Sequence, residues 1–264
     1  MPRWLSEGIS VFEELEKDDS WGQHMTPDYR QRILRDTMTP IASLSGAFLN
    51  ASSGQDMQFA YFQSSLVVAY IVEAYGLDAL KSTLRDLGKG TTINKALSTH
   101  TTEVEELDRL FVAWAKERAL RLGETLNWDE PDPAIIQGRP IEDLLAATPN
   151  NYYHLTEALA QHVAEEDWQK AQDVAKFLLE AYPDQRGLDG ALYQASIIES
   201  ALGNVDQAYE HLKHLTRIDG DVADAYLRLM DIAARKQDWE VCRRAAECYL
   251  AVNPLLGRVY ETLL

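Results

Sequence analysis

The sequence predicts an all-α protein built in two parts, and three observations predict it. Apolar residues recur three and four apart in one window after another, the spacing that lines one face of a helix. Pro131, Pro133, Pro140 and Pro149 crowd into residues 124–151, a density that breaks helices, favours an extended path and marks a domain boundary. Beyond them a pattern repeats at 34-residue spacing, the period of stacked helix pairs.

The totals narrow the function classes. A chain of 264 residues can bury one large core or two modest ones. Hydrophobic residues at 46% and charged residues at 25% are the proportions of a globular protein. The formal charge of −17, from 42 acidic and 25 basic residues, repels phosphate backbones and anionic lipid, so nucleic acid is not an expected partner. No apolar run is long enough for a transmembrane segment, and the first thirty residues lack a basic-then-apolar signal. No compartment can be read from the sequence.

In chain order, Trp4, Leu5, Gly8, Ile9, Val11, Phe12 and Leu15 cover one broad face of a first helix. Glu7 falls on the border of that face, where it can be a ligand pointing into a cleft or equally a solvated glutamate. Residues 16–29 are polar, broken by Gly22 and Pro27, and predict a loop; its His24 has no neighbour at ligand spacing. A short helix is expected around Asp28–Asp36. Residues 41–54, rich in small side chains, predict a loop along a cleft or a short helical turn. Phe59–Val72 is apolar nearly all round and predicts a buried helix ending near Gly76. Leu77, Leu80, Leu84 and Leu87 mark a further helix, turned by Gly88-Lys89-Gly90, and a short one is expected over 93–97. Thr102-Glu103-Val104-Glu105 has the form of a capping box, opening a helix striped by Leu107, Leu110, Phe111, Trp114 and Arg118 to about Leu122.

Trp4-Leu5-Ser6-Glu7-Gly8 resembles the segment that supplies the third zinc ligand in gluzincin metallopeptidases, written W-L-N-E-G-F-A in aminopeptidase N relatives. The resemblance implies a zinc cofactor with Glu7 as a ligand. It also implies an H-E-x-x-H segment, bringing two histidine ligands and the general base, some eighteen or more residues upstream. Counting back from Glu7 runs off the chain, and none of the six histidines stands in such a motif. Tyr61, followed by Gln63-Ser64, takes the place of the tyrosine in the family's Y-x-K-G, in the Y-x-x-S form common in bacterial peptidase MA-like relatives. There the hydroxyl stabilises the tetrahedral oxyanion. From the residues alone, a buried tyrosine with a satisfied hydroxyl fits as well. The order of ligand helix, loop, tyrosine helix and closing Phe-x-x-Trp element resembles the helical C-terminal subdomain of that group over residues 1 to about 122. Such relatives are often bacterial and exported or membrane-attached.

After the linker at 123–151, Trp168, Val205 and Trp239 each stand three residues before a small residue: Ala171, Ala208 and Cys242. Fifteen residues past each mark come Pro183, Gly220 and Pro254, and Gly203 sits in the middle inter-helix turn. This resembles the tetratricopeptide pattern, with repeats at 152–185, 189–222 and 223–256 and a capping helix or truncated repeat over 255–264. The first spacing is three residues longer, which places an insertion within Gln185–Gly190. The resemblance implies a groove that takes a peptide or a partner protein. His211 and His214, in H-L-K-H, lack a third ligand and predict a solvated helix face. The Glu13-Glu14-Glu16 and Glu103-Glu105-Glu106 clusters predict solvated faces too. Cys242 and Cys248, six apart in one helix, predict two small buried hydrophobes and no disulfide.

Two functions are therefore expected in competition. One is part of a zinc metallopeptidase carrying a protein-binding repeat module, inactive and without zinc on its own because H-E-x-x-H is absent. The other is a non-enzymatic scaffold or adaptor in which a degenerate peptidase remnant supports the repeats.

Overall fold

The structure, a computed structural model, describes residues 1–136, 138–255 and 259–260. It is all-α: the described residues form helices and one isolated bridge between Asn127 and Asn151, with no strand among them. The chain divides into two compact units, Met1–Leu122 and Gly123–Leu264. Among the described residues no helix is long and apolar enough to cross a membrane.

The first unit is arranged around one long helix. Its elements are α1 (Arg3–Lys17), α2 (Pro27–Leu34), a 3-10 turn (Ile41–Ser43), α3 (Ser45–Leu49), α4 (Gly54–Tyr75), α5 (Leu77–Gly88), α6 (Ile93–His100) and α7 (Val104–Arg121). Helix α4 is buried on most sides, and α1, α3, α5 and α7 all pack on it. The Ser53 side chain accepts from the Asp56 amide to open α4, and Gly76, at φ +83°, closes it in a conformation that L side chains rarely adopt.

Two local expectations are corrected. Pro27, taken as a breaker inside the loop, is the first residue of α2, where its missing N–H costs nothing; Thr26 caps the helix by accepting from the Tyr29 amide. The capping box at Thr102 does not form. The Glu103 carbonyl accepts from Leu107, so the helix starts one residue later and Glu103 is the cap, with no side-chain cap bond. Glu105 then lies one position short of where it could reach back.

The second unit holds α8 (Pro133–Ile136), α9 (Ile141–Ala147), α10 (Tyr152–Ala164), α11 (Trp168–Ala181), α12 (Ala191–Ala201), α13 (Val205–Ile218), α14 (Ala223–Lys236) and α15 (Trp239–Val252). The proline-dense segment is not simply extended. Pro133 is the first residue of α8 and Pro140 caps α9, positions where proline favours a helix; Ile141 and Leu144 of α9 then bury against Ala158. Trp128 stacks on Tyr152 with ring centroids 4.4 Å apart.

From Tyr152 onward the helices come in pairs, and the repeat marks fall at one structural position. Trp168, Val205 and Trp239 each open the second helix of a pair, and Ala171, Ala208 and Cys242, one turn on, are all buried. Two residues before each mark the chain adopts a left-handed backbone: Glu166 at φ 57°, Gly203 at 82° and Gln237 at 58°. The extra length of the first spacing lies in the connection Tyr182–Gly190, longer than the Asp219–Val222 connection that follows α13. Cys242 is buried with its Sγ 3.7 Å from the Met230 carbonyl oxygen, whereas Cys248 is only half-buried; both are free thiols. Most of the capping helix expected over 255–264 lies outside the described residues.

Candidate functional site

The site of the first unit grows out of a close approach of two helices. Trp4, Leu5 and Gly8 form the inner face of α1 against α4, and Trp4 and Leu5 are fully buried. At Gly8 the backbones meet: a Cβ there would lie 2.5 Å from the Ser64 carbonyl oxygen and 2.7 Å from its carbon, so only glycine fits. Ser64 is itself buried, and its hydroxyl donates to the Ala60 carbonyl at 2.7 Å.

This contact fixes where Glu7 and Tyr61 lie. Glu7 sits at the edge of the buried face with its side chain 34% exposed. Tyr61, half-buried on α4, meets the Phe48 ring of α3 edge-on with centroids 5.1 Å apart. Arg3 joins them: its Nε lies 3.5 Å from Glu7 Oε1 and its Nη2 donates to the Tyr61 hydroxyl oxygen at 3.5 Å. Its guanidinium also lies over the Phe48 ring, 4.9 Å from the centroid. The Tyr61 hydrogen bond, with the neighbouring Glu7 carboxylate also contributing, pushes the Arg3 guanidinium above its ordinary value. Because the Tyr61 oxygen accepts from Arg3, its own O–H remains free to donate elsewhere.

Arg3 is the residue that sequence reasoning missed. Its signal was the four-residue spacing to Glu7, which pairs opposite charges on a helix surface.

As a metal donor set, the patch is incomplete. A carboxylate is an accepted zinc ligand, but Glu7 is a single one. Among the described residues no group of three or more His, Cys, Asp or Glu is placed to hold a metal ion. His24 lines a different cavity of the first unit, of about 440 Å³, together with Phe62, Ser65, Leu66 and Trp114.

The remaining candidates sort themselves by their surroundings. Glu13, Glu14, Glu16, Glu103 and Glu105 are exposed, and Glu106 holds Arg109 at 2.6 Å. His211 and His214 lie on a face only partly open to solvent, both being half-buried. His214 Nε2 lies 2.9 Å from Asp184 Oδ1, and His211 lines a cavity of about 780 Å³ in the second unit. Burial pushes the His211 imidazole below the usual histidine range, against the pull of Glu199.

Residues 1–117 match the family model of the Peptidase MA superfamily, whose members are generally metal-dependent. No curated protein matches the chain.

Proposed function

We propose that Met1–Leu122, metallopeptidase-like by its match over residues 1–117, is the helical part of a zinc peptidase of the aminopeptidase N kind, with Glu7 as metal ligand and Tyr61 as oxyanion donor. One observation carries the reading. The motif glycine Gly8 packs on Ser64 of the tyrosine motif, and this brings Glu7 and Tyr61 to the two ends of one guanidinium.

Glu7, with the two histidines of an H-E-x-x-H segment outside these 264 residues, would hold the zinc, which when bound would supply Lewis-acid chemistry for a scissile carbonyl and a water. This chain's own residues do the rest. Trp4, Leu5 and Gly8 clamp α1 to α4, so Glu7 presents its carboxylate from a rigid helix and not from a loop. Arg3 holds that carboxylate near Tyr61, where it would be available to a metal ion. Arg3 also occupies the acceptor side of the Tyr61 hydroxyl, leaving the O–H to donate to the oxygen on which charge develops.

The paired helices α10–α15 are the tetratricopeptide-like part of the proposal, taking a peptide or protein segment in a groove. By this reading the chain alone neither holds zinc tightly nor cleaves peptides, since it offers one ligand of three. A non-enzymatic adaptor built on the same two units is the competing reading.

The deciding experiment expresses the chain together with the in-frame sequence encoded before Met1 and measures zinc content and peptide hydrolysis. The expected result is zinc-dependent cleavage, with zinc lost in Glu7→Gln and kcat reduced about 100- to 1000-fold in Tyr61→Phe. Zinc content and cleavage both unchanged in Glu7→Gln would remove Glu7 from the site. An upstream frame with no H-E-x-x-H would favour the adaptor.

A further inference from the structure

A cavity in the second unit lies among α11, α12 and α13 and has a volume of about 780 Å³. Its floor is apolar, formed by Leu179, Ala195 and Ile198, and its polar lining is strongly one-sided. Five carboxylates line it, those of Asp173, Glu180, Glu199, Asp206 and Glu210, against the single lysine Lys176. Lys236 pairs with Asp206 and Lys213 with Glu210. Asp173 and Glu180 have no ion-pair partner among the described residues.

Glu199 is the unusual member. It is only 7% exposed, on the inner helix α12, and it accepts from two neutral amides: Gln172 Nε2 at 2.8 Å and Asn204 Nδ2 at 2.7 Å. A buried carboxylate is costly unless a cation answers it, and two amide donors leave part of its acceptor capacity unused. His211, also on the lining, is held toward its neutral form by burial, against the pull of Glu199, and so adds little positive charge at neutral pH. An apolar floor, an acidic rim and a buried carboxylate without a cation together complement an amphipathic chain that carries positive charge.

We propose that this cavity is the docking site for a lysine- or arginine-bearing peptide segment of a partner protein, with one cationic side chain reaching Glu199 and apolar neighbours resting on Leu179 and Ile198. The proposal rests on the reading of α10–α15 as a peptide-binding repeat stack, and adds the chemistry of the ligand. Charge sets the preference: with Asp206 and Glu210 already paired to lysines, Asp173, Glu180 and Glu199 still outnumber Lys176, and this net negative lining repels an acidic segment and attracts a basic one.

The test titrates the full chain with two fluorescein-labelled hexapeptides, Ac-LKLRKL-NH2 and Ac-LELEEL-NH2, by anisotropy at low and moderate salt, with amide chemical shifts locating each peptide. The basic peptide is expected to bind, to shift Ala195, Ile198 and Glu199, and to weaken with salt. Glu199→Gln should weaken it about 30-fold or more, by removing the buried charge while keeping the shape. The double variant Asp173→Lys/Glu180→Lys changes only exposed residues, and should weaken it even if Glu199→Gln were poorly folded. Equal binding of the two peptides in the cavity would overturn the charge preference while leaving the repeat reading intact. Binding of neither peptide would overturn the basic-peptide site, while the repeat reading, which specifies no ligand chemistry, would stand. Basic-peptide affinity unchanged in a folded Glu199→Gln and in the double variant would place the peptide elsewhere and overturn the site.

Discussion

Gly8 of α1 and Ser64 of α4 approach so closely that a single added methyl at Gly8 would lie 2.5 Å from the Ser64 carbonyl oxygen. The obstacle is helix backbone, which cannot rotate aside as a side chain can, so α1 would have to move off α4 and take Trp4 and Leu5 with it. Gly8→Ala is therefore expected to destabilise the first unit by about 1–3 kcal/mol, despite alanine's higher helix propensity. Urea unfolding followed by circular dichroism measures this. A Gly8→Ala variant as stable as the parent would show that the two helices are not locked at this point.

The three hairpin turns of the second unit provide a matched comparison. Glu166, Gly203 and Gln237 occupy equivalent left-handed positions, but only one is glycine. A left-handed backbone costs an L residue about 1–2 kcal/mol, from which the extra unfolded-state freedom of glycine must be subtracted. Gln237→Gly and Glu166→Gly, both at exposed positions, are expected to stabilise by about 0.5 kcal/mol each. Gly203→Ala should destabilise by about 1 kcal/mol; nothing lies within 4 Å of the added carbon, so the cost is backbone alone. Thermal unfolding midpoints of the three variants test the set, and a shift of the same sign in all three would refute the argument.

The helices were legible because their apolar faces repeat every three to four residues, and α4, buried on most sides, was legible from its length and the closing Gly76. Capping was less legible. Pro27, Pro133 and Pro140 open helices or stand just before them, and a proline signals a break or a start according to whether a helix-forming run comes after it. At the site, Glu7 and Tyr61 were found through their motifs, but nothing in one dimension shows that Arg3 spans them, since Arg3 and Tyr61 are 58 residues apart in the chain. The His211 environment was hidden for the same reason: its burial comes from the second unit's neighbouring helices and not from its own H-L-K-H.

Acid should weaken one link between repeats. The Tyr209 hydroxyl donates to Asp238 Oδ2 at 2.7 Å, joining α13 to the cap of α15, and the Val241 amide donates to the same carboxylate. The Tyr209 bond first, and the Val241 amide second, hold the Asp238 carboxyl below its ordinary value. With the folded value below the unfolded one, this stabilisation is fully present above the unfolded value of about 3.9. It is lost as pH falls from there through the folded value. Burial pushes the Tyr209 phenol up, so it remains a donor across the whole range. Asp238→Asn should lower the melting midpoint at pH 7 and differ less from the parent near pH 3. A gap that stays constant with pH would rule the carboxylate out as its source.

The repeat pattern separates a residue that marks position from one that bears packing. Trp239 opens α15 and is 63% exposed, whereas Ala208, one turn into α13, is fully buried in a cluster with Leu192, Leu212 and Tyr226. Helices this close leave no volume for a larger side chain, so Ala208→Leu must push them apart or force strained rotamers, at about 1–3 kcal/mol. Trp239→Ala removes far more mass, but from a surface position, and should stay within about 0.5 kcal/mol of the parent. Urea denaturation with an unchanged slope would confirm that both values report the folded state. Were Trp239→Ala the more damaging of the two, the small-residue seam would not be what holds the repeats together.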